Sequence, residues 1–226
     1  LEHKGGSVLD QTGLAQKGGS VYTHIRIARS PSDIHAVRIA AGEANLVIGA
    51  DMIVTASDEA IAKMQNGSTR AVVNADVAST GEFAANPDLQ VPVREMADAI
   101  RDATGEAAAD FVDAASIATA LLGDSIATNL FMVGYAWQKG LIPVGGEAIR
   151  EAVRLNAAAV EANLSAFEWG RRAAADLAAV RRIATPPDSK PDSQRLSGSL
   201  DEMIERRKAH LVQYQDGAYA SRYAEL

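Results

Sequence analysis

Between residues 21 and 28 the chain alternates strictly: Val21, Thr23, Ile25 and Ile27 interleave with Tyr22, His24, Arg26 and Ala28. A period of two predicts a strand with unlike faces, one of them drier. "SVLD" at 7–10 reads as a second strand. Three short apolar runs follow, "NLVIG" (45–49), "RAVVNA" (70–75) and "ADFVDA" (109–114), each succeeded by a helical pattern, as buried strands of a βα layer are. One connecting helix begins at "SDEAIAKMQ" with Ser57 as N-cap, and another runs through "VREMADAIRDATG" from Val93 and stops at Gly105. From Ala115 to Lys139, Ile117, Leu121, Ile126, Leu130, Val133 and Trp137 recur near helical spacing. The pattern breaks at "GDS", where Asp124 or Ser125 can cap a second helix. After a turn over 140–146, Ile149, Val153, Ala157, Val160, Leu164 and Phe167 form one stripe on one or two helices, which must bury against something.

These elements predict an α/β fold: a three-layer α/β/α domain with a mostly parallel sheet, plus a short helical C-terminal tail. "ATPPDSKPDSQRLSGS" holds three of the seven prolines and reads as a linker. The expected organisation is a domain over 1–183, a Pro/Ser-rich linker over 184–198 and the start of an amphipathic helical region over 199–226.

Composition narrows the function. The 226 residues carry a net charge of -7 with the basic residues scattered, which argues against a nucleic-acid partner. There is no cysteine, so the chain has no disulfide, no thiol nucleophile and no ligands of its own for an iron-sulfur cluster. The longest apolar stretches, such as "NLVIGADMIV" and "LFMVGYAW", fall far short of the roughly 18 residues a spanning helix needs, so no membrane partner is expected. With no signal peptide ahead of residue 1, a cytoplasmic address is the default expectation.

Candidate chemistry is sparse. His3, His24, His35 and His210 are isolated, without the spacing that sets two ligands on one helical face, and no metal site is expected. Nucleophile elbow, phosphate loop and dinucleotide fingerprint are all missing, and no catalytic residue is assigned. Asp110 and Asp113 could form an acid/base pair, although Asp113, where a strand hands over to a helix, is more simply an N-cap. "NLSAFEWGRR" (163–172) sets Phe167 and Trp169 beside two arginines, a pattern of core packing or of an interface anchor. "TGLAQKGG" (12–19) is the best candidate: its glycines permit positive φ, so successive amides can line one concavity beside the Lys17 cation, suited to a phosphate or carboxylate. The competing reading is a Gly-Gly turn between two strands with Lys17 in water.

Read in order, "SVLDQTGLAQKGGSVYTHIRIA", "NLVIGADMIVTASDEAIAKM", "TNLFMVGYAWQKGLIPV", "EAIREAVRLNAAAVEANLSAFEWGR" and "SLDEMIERRKAHLVQYQDGAYASRYAEL" resemble the indolepyruvate ferredoxin oxidoreductases over nearly the whole chain. Residues 1–183 resemble the gamma-type domain of the 2-oxoacid:ferredoxin oxidoreductase superfamily. The tail resembles the region that follows that domain in long fused bacterial forms. The resemblance implies an oxidoreductase that uses thiamine diphosphate to decarboxylate arylpyruvates, passing electrons through iron-sulfur clusters to ferredoxin and the acyl group to coenzyme A. It also implies that thiamine diphosphate and magnesium sit between other domains, the partners of this one, and that this domain assists closure and assembly while being inactive alone. Gly13, Gln16, Lys17, Gly18 and Gly19 match the family's Gln-Lys/Arg-Gly-Gly loop and are the candidate contact to coenzyme A or to a neighbouring domain. Family members begin with a strand and Gly-rich turn that this sequence lacks, so it resembles an N-terminally truncated piece, and an uncovered sheet edge makes a homo-oligomer plausible. Two rival readings are a freestanding module for a nucleotide-like ligand and a purely structural assembly domain.

Overall fold

Four successive residues of one strand, Ala71 to Asn74, are buried, which happens when both faces of a sheet are covered. In the computed structural model, which describes residues 3–12, 21–77, 91–185 and 197–224, that strand is the middle of a parallel sheet. Strands β3 (Leu46–Gly49), β4 (Arg70–Asn74) and β5 (Ala109–Val112) lie in sequence order, with Leu46 in register with Arg70 and Ala71 with Ala109. The chain divides into two units, Leu1–Thr185 and Pro186–Leu226.

The pleat sorts the side chains of the first unit into two cores. Ala71 and Val73 meet Met52 of helix α1 (Met52–Thr55) and Ile100 of α3 (Val93–Thr104); the short α2 (Asp58–Ile61) lies between them in sequence. Val72 and Val112 point the other way. They meet α4 (Ala114–Leu122), α5 (Thr128–Gln138), α7 (Val160–Ala175) and α8 (Leu177–Ala184) through Ile117, Phe131, Met132, Ala173 and Val180. Helices on both faces of a parallel sheet make the expected three layers. Ser57 caps α2 by accepting from the Ala60 amide, and α3 stops at Gly105, whose φ of 103° most side chains avoid. The apolar stripe after residue 146 splits into α6 (Gly146–Asn156) and α7 because Ala157 and Ala159 take left-handed φ values of 57° and 43°.

Two glycines set the spacing of α5 and α7. A Cβ on Gly134 would overlap the carbonyl of Phe167, and a Cβ on Gly170 would overlap the carbonyl of Phe131. The backbones therefore touch directly, and Phe131 and Phe167 are both fully buried. The Trp137 ring completes this layer 5.9 Å from Phe167.

The two N-terminal strands stand apart from the parallel sheet. β1 (Gly5–Thr12) and β2 (Val21–Ala28) form an antiparallel ribbon in continuous register from Gly5 with Ala28 to Thr12 with Val21. The drier face of β2 is the less apolar one: Tyr22, His24, Arg26 and Ala28 turn inward, whereas Val21, Thr23, Ile25 and Ile27 turn outward. The reason lies in what the ribbon meets. Its inner face rests on loop backbone, whose amides and carbonyls need polar partners. Tyr22 Oη lies 2.7 Å from Ser57 Oγ, the Ile39 amide donates to His24 Nδ1 at 3.0 Å, and Arg26 donates to the Arg38 carbonyl at 2.8 Å and to Glu43 at 2.7 Å.

The second unit contains α9 (Leu200–Tyr214) and α10 (Gly217–Ala224). Ser199 caps α9 through the Glu202 amide while the Glu202 carboxylate accepts from the Gly198 amide, and Ala220 is buried where the two helices meet. Among the described residues no helix is long and apolar enough to cross a membrane.

Candidate functional site

Open α/β sheets bind ligands beyond the carboxyl ends of their strands, where helix N-termini gather. In this chain that crest belongs to Asn74. Its Nδ2 donates to the carbonyls of Ala50, after β3, and Asp76, at 3.2 and 3.3 Å. Its Oδ1 accepts from the amides of Asp76, Ala114 and Ala115 at 3.3, 3.1 and 3.2 Å. One buried amide thus ties β3, β4 and the start of α4 together. Asp76 completes the arrangement by accepting from the Ser116 amide and hydroxyl, both at 2.7 Å. The first turn of α4, where an anion would sit, is filled by the protein's own carboxylate.

Asp51 and Asp113, along this edge, each have a local partner. Asp51 caps α1 by accepting from the Val54 amide at 3.0 Å. Asp113 occupies the N-cap position of α4, yet its side chain makes no cap bond. Asn74 and Asp76 have taken the amides, and Asp113 instead accepts a two-toothed guanidinium contact from Arg181, with distances of 2.5 to 3.1 Å. That contact holds the Arg181 pKa above its ordinary value. Asp110 lies 3.5 Å from Lys139 Nζ and 3.9 Å from Arg70. The two aspartates thus face separate cations. The Tyr135 phenol between these groups is pushed up to about 12, first by burial and then by the Asp110 charge, so it stays protonated at neutral pH.

His24 is buried under the ribbon, far in sequence from His3, His35 and His210, and no cluster of three His, Asp or Glu side chains among the described residues could hold a metal. The aromatic and arginine run resolves into packing. Phe167 is core, Arg171 lies 4.7 Å over the Trp137 ring, and Arg172 lies 4.8 Å over Trp169. Among the described residues, the amides and acids of the crest do not fit a diphosphate with its divalent cation, because they already satisfy one another. Iron-sulfur clusters need thiolates, and the chain has no cysteine.

Gly13, Gln16, Lys17, Gly18 and Gly19 lie outside the described residues. The ribbon strands on either side of them are paired as far as Thr12 and Val21. Sequence reading missed Asn74 and Asp76. The available signal was a polar Asn closing the apolar run Ala71 to Val73, followed two residues later by an acid.

The chain is 29% identical to the indolepyruvate oxidoreductase subunit IorB of Methanothermobacter thermautotrophicus over 166 residues, 73% of this chain and 80% of the relative. It is also 29% identical to the subunit of the same name from Archaeoglobus fulgidus over 160 residues, 70% of this chain and 75% of the relative. Residues 3–173 match the pyruvate ferredoxin/flavodoxin oxidoreductase family across the five described strands and the helices from α1 into α7, and the chain belongs to that family.

Proposed function

We propose that this chain is the non-catalytic component of a thiamine-diphosphate-dependent arylpyruvate:ferredoxin oxidoreductase, enclosing and assembling a reaction centre that other chains or domains carry. The observation that bears most weight is the crest. Its helix amides and carboxylates are committed to internal bonds around Asn74, so the position where α/β proteins most often hold a ligand is given over to structure. The names of the two archaeal relatives support indolepyruvate, or another arylpyruvate, as the substrate of the whole enzyme. In that enzyme thiamine diphosphate and magnesium belong to a partner, iron-sulfur clusters carry electrons to ferredoxin, and the acyl group leaves on coenzyme A. The contribution of this chain is the loop containing Gly13, Gln16, Lys17, Gly18 and Gly19, with Lys17 meeting an anionic group of coenzyme A or of the neighbouring domain.

Steady-state kinetics of the assembled enzyme test this reading. Lys17→Ala should raise the apparent KM for coenzyme A or lower kcat while leaving the complex intact on size-exclusion chromatography. Unchanged kinetics would remove the loop from the reaction. Decarboxylation of indolepyruvate by the isolated chain, supplied with thiamine diphosphate, magnesium, coenzyme A and ferredoxin, would overturn the division of labour.

A further inference from the structure

The ribbon turns an apolar surface to solvent. Val8 is 62% exposed, Val21 60%, Ile25 56% and Ile27 37%. Register puts them on one face: Val8 pairs with Ile25, Gly6 with Ile27 and Asp10 with Thr23, and cross-strand partners point the same way. Slipping the strand by one residue would hide these side chains, but the inner face forbids it. Such a slip would pull Tyr22 from Ser57, His24 from Ile39 and Arg26 from Glu43. The outward apolar face is thus built in by the polar attachments on the other side.

We infer that this face, with Val8 and Ile25 at its centre, is a docking surface for an apolar, uncharged patch on the cofactor-bearing partner of the enzyme. The identity of the partner rests on the function proposed above. The ribbon by itself is too small to hold a second copy of this chain, and charge gives such a copy no attraction elsewhere. Eight residues per strand at about 3.4 Å each, across two strands about 4.8 Å apart, give a face on the order of 300 Å². A stable pairing needs about 800 Å² from each side. The ribbon alone falls well short, and two chains each with a net charge of -7 gain no long-range attraction. It suffices as one part of a wider contact with a different partner. Charge fixes the chemistry of the occupant: among the described residues of β1 and β2 the face carries a single ionisable side chain, Asp10, which already accepts from the Thr23 hydroxyl at 2.8 Å. A charged surface laid there would lose its hydration without an ion pair in return.

The experiment is to measure the affinity of the full chain for its cofactor-bearing partner by surface plasmon resonance, with wild type, Ile25→Asp and the control Leu155→Asp, the last at an exposed apolar position on α6. Ile25→Asp should weaken binding by about tenfold or more, chiefly through faster dissociation, with an unchanged melting temperature of the isolated chain; Leu155→Asp should bind as wild type. Should Ile25→Asp fail to fold, the paired change Val8→Thr and Ile25→Thr, which keeps β-branched side chains, should still weaken binding. Wild-type affinity in the Ile25 variants, with indolepyruvate turnover intact, would overturn the docking surface and leave the proposed function standing. A folded wild-type chain that neither binds the partner nor supports turnover would overturn both. A wild-type homodimer dissolved by Ile25→Asp, with partner affinity unaffected, would overturn the choice of occupant.

Discussion

Gly170 of α7 lies directly against the backbone carbonyl of Phe131 on α5, and Gly134 stands in the same relation to Phe167, so the two helices approach through reciprocal glycine-to-carbonyl contacts. No side chain separates them there. Adding a methyl group at either glycine requires the backbones to part and opens gaps around Phe131 and Phe167, both fully buried. Gly170→Ala should therefore destabilise the chain by about 1–3 kcal/mol, although alanine favours an isolated helix. Urea denaturation followed by circular dichroism checks the sign, and a stabilised variant would show that the helices slide apart freely.

His24 makes the attachment of the ribbon sensitive to acid. Burial, followed by the charges of Lys63 and Arg38, pulls its pKa below 6.5. The unfolded chain consequently takes up the proton more readily than the folded one. The stability His24 provides is complete above pH 6.5 and is lost as the pH falls through the lowered folded value. Protonated Nδ1 also cannot accept the Ile39 amide. The melting temperature should fall between pH 7 and pH 5 more steeply in wild type than in His24→Gln, and parallel profiles would remove His24 from the acid response.

Asn74→Ala should cost on the order of 3 kcal/mol, since it strands the Ala50 carbonyl and the Ala114 and Ala115 amides at the start of α4. Asn74→Asp should be damaging as well: it loses both donated bonds and sets a second carboxylate beside Asp76. Chemical denaturation of the two variants, read against wild type, measures both effects.

The Asp113 and Arg181 pair makes the shorter contacts, yet it should matter less. The side chains are 34% and 50% exposed, so water competes for both charges. Asp113→Asn should cost below about 1 kcal/mol. A larger loss in the same denaturation assay would mean that the fork anchors α8 to the start of α4.

Much of the fold was legible because local signals agreed with the packing. Ser57 before "DEAI" and Gly105 after "RDAT" mark helix ends through side-chain and backbone chemistry that operates within a few residues. The alternation in β2 marked the strand and its two unlike faces but not which of them turns inward. Hydrophobicity identifies which side chains prefer to leave water, whereas the inner face here had to satisfy loop amides and carbonyls that no pattern within the strand encodes. Asp113 illustrates the same limit. Its position beside α4 suggested a cap, but the amides were claimed by Asn74, 39 positions earlier, and Asp113 turned to Arg181. Ile126, read as part of a helical stripe, is 74% exposed in the 3-10 turn over Ser125–Ala127. The contacts of Gly134 and Gly170 lie beyond sequence reading for another reason: a glycine inside a helix is a local weakness, and its benefit exists only once the opposing backbone arrives.

The ribbon separates two tasks across the thickness of a single sheet. Tyr22, His24 and Arg26 fix how the strands are held, and their neighbours Val21, Ile25 and Ile27 take no part in that attachment. Mutations on the outward side can accordingly retune or abolish assembly while the monomer keeps its shape, so association and folding can evolve independently within the same eight residues.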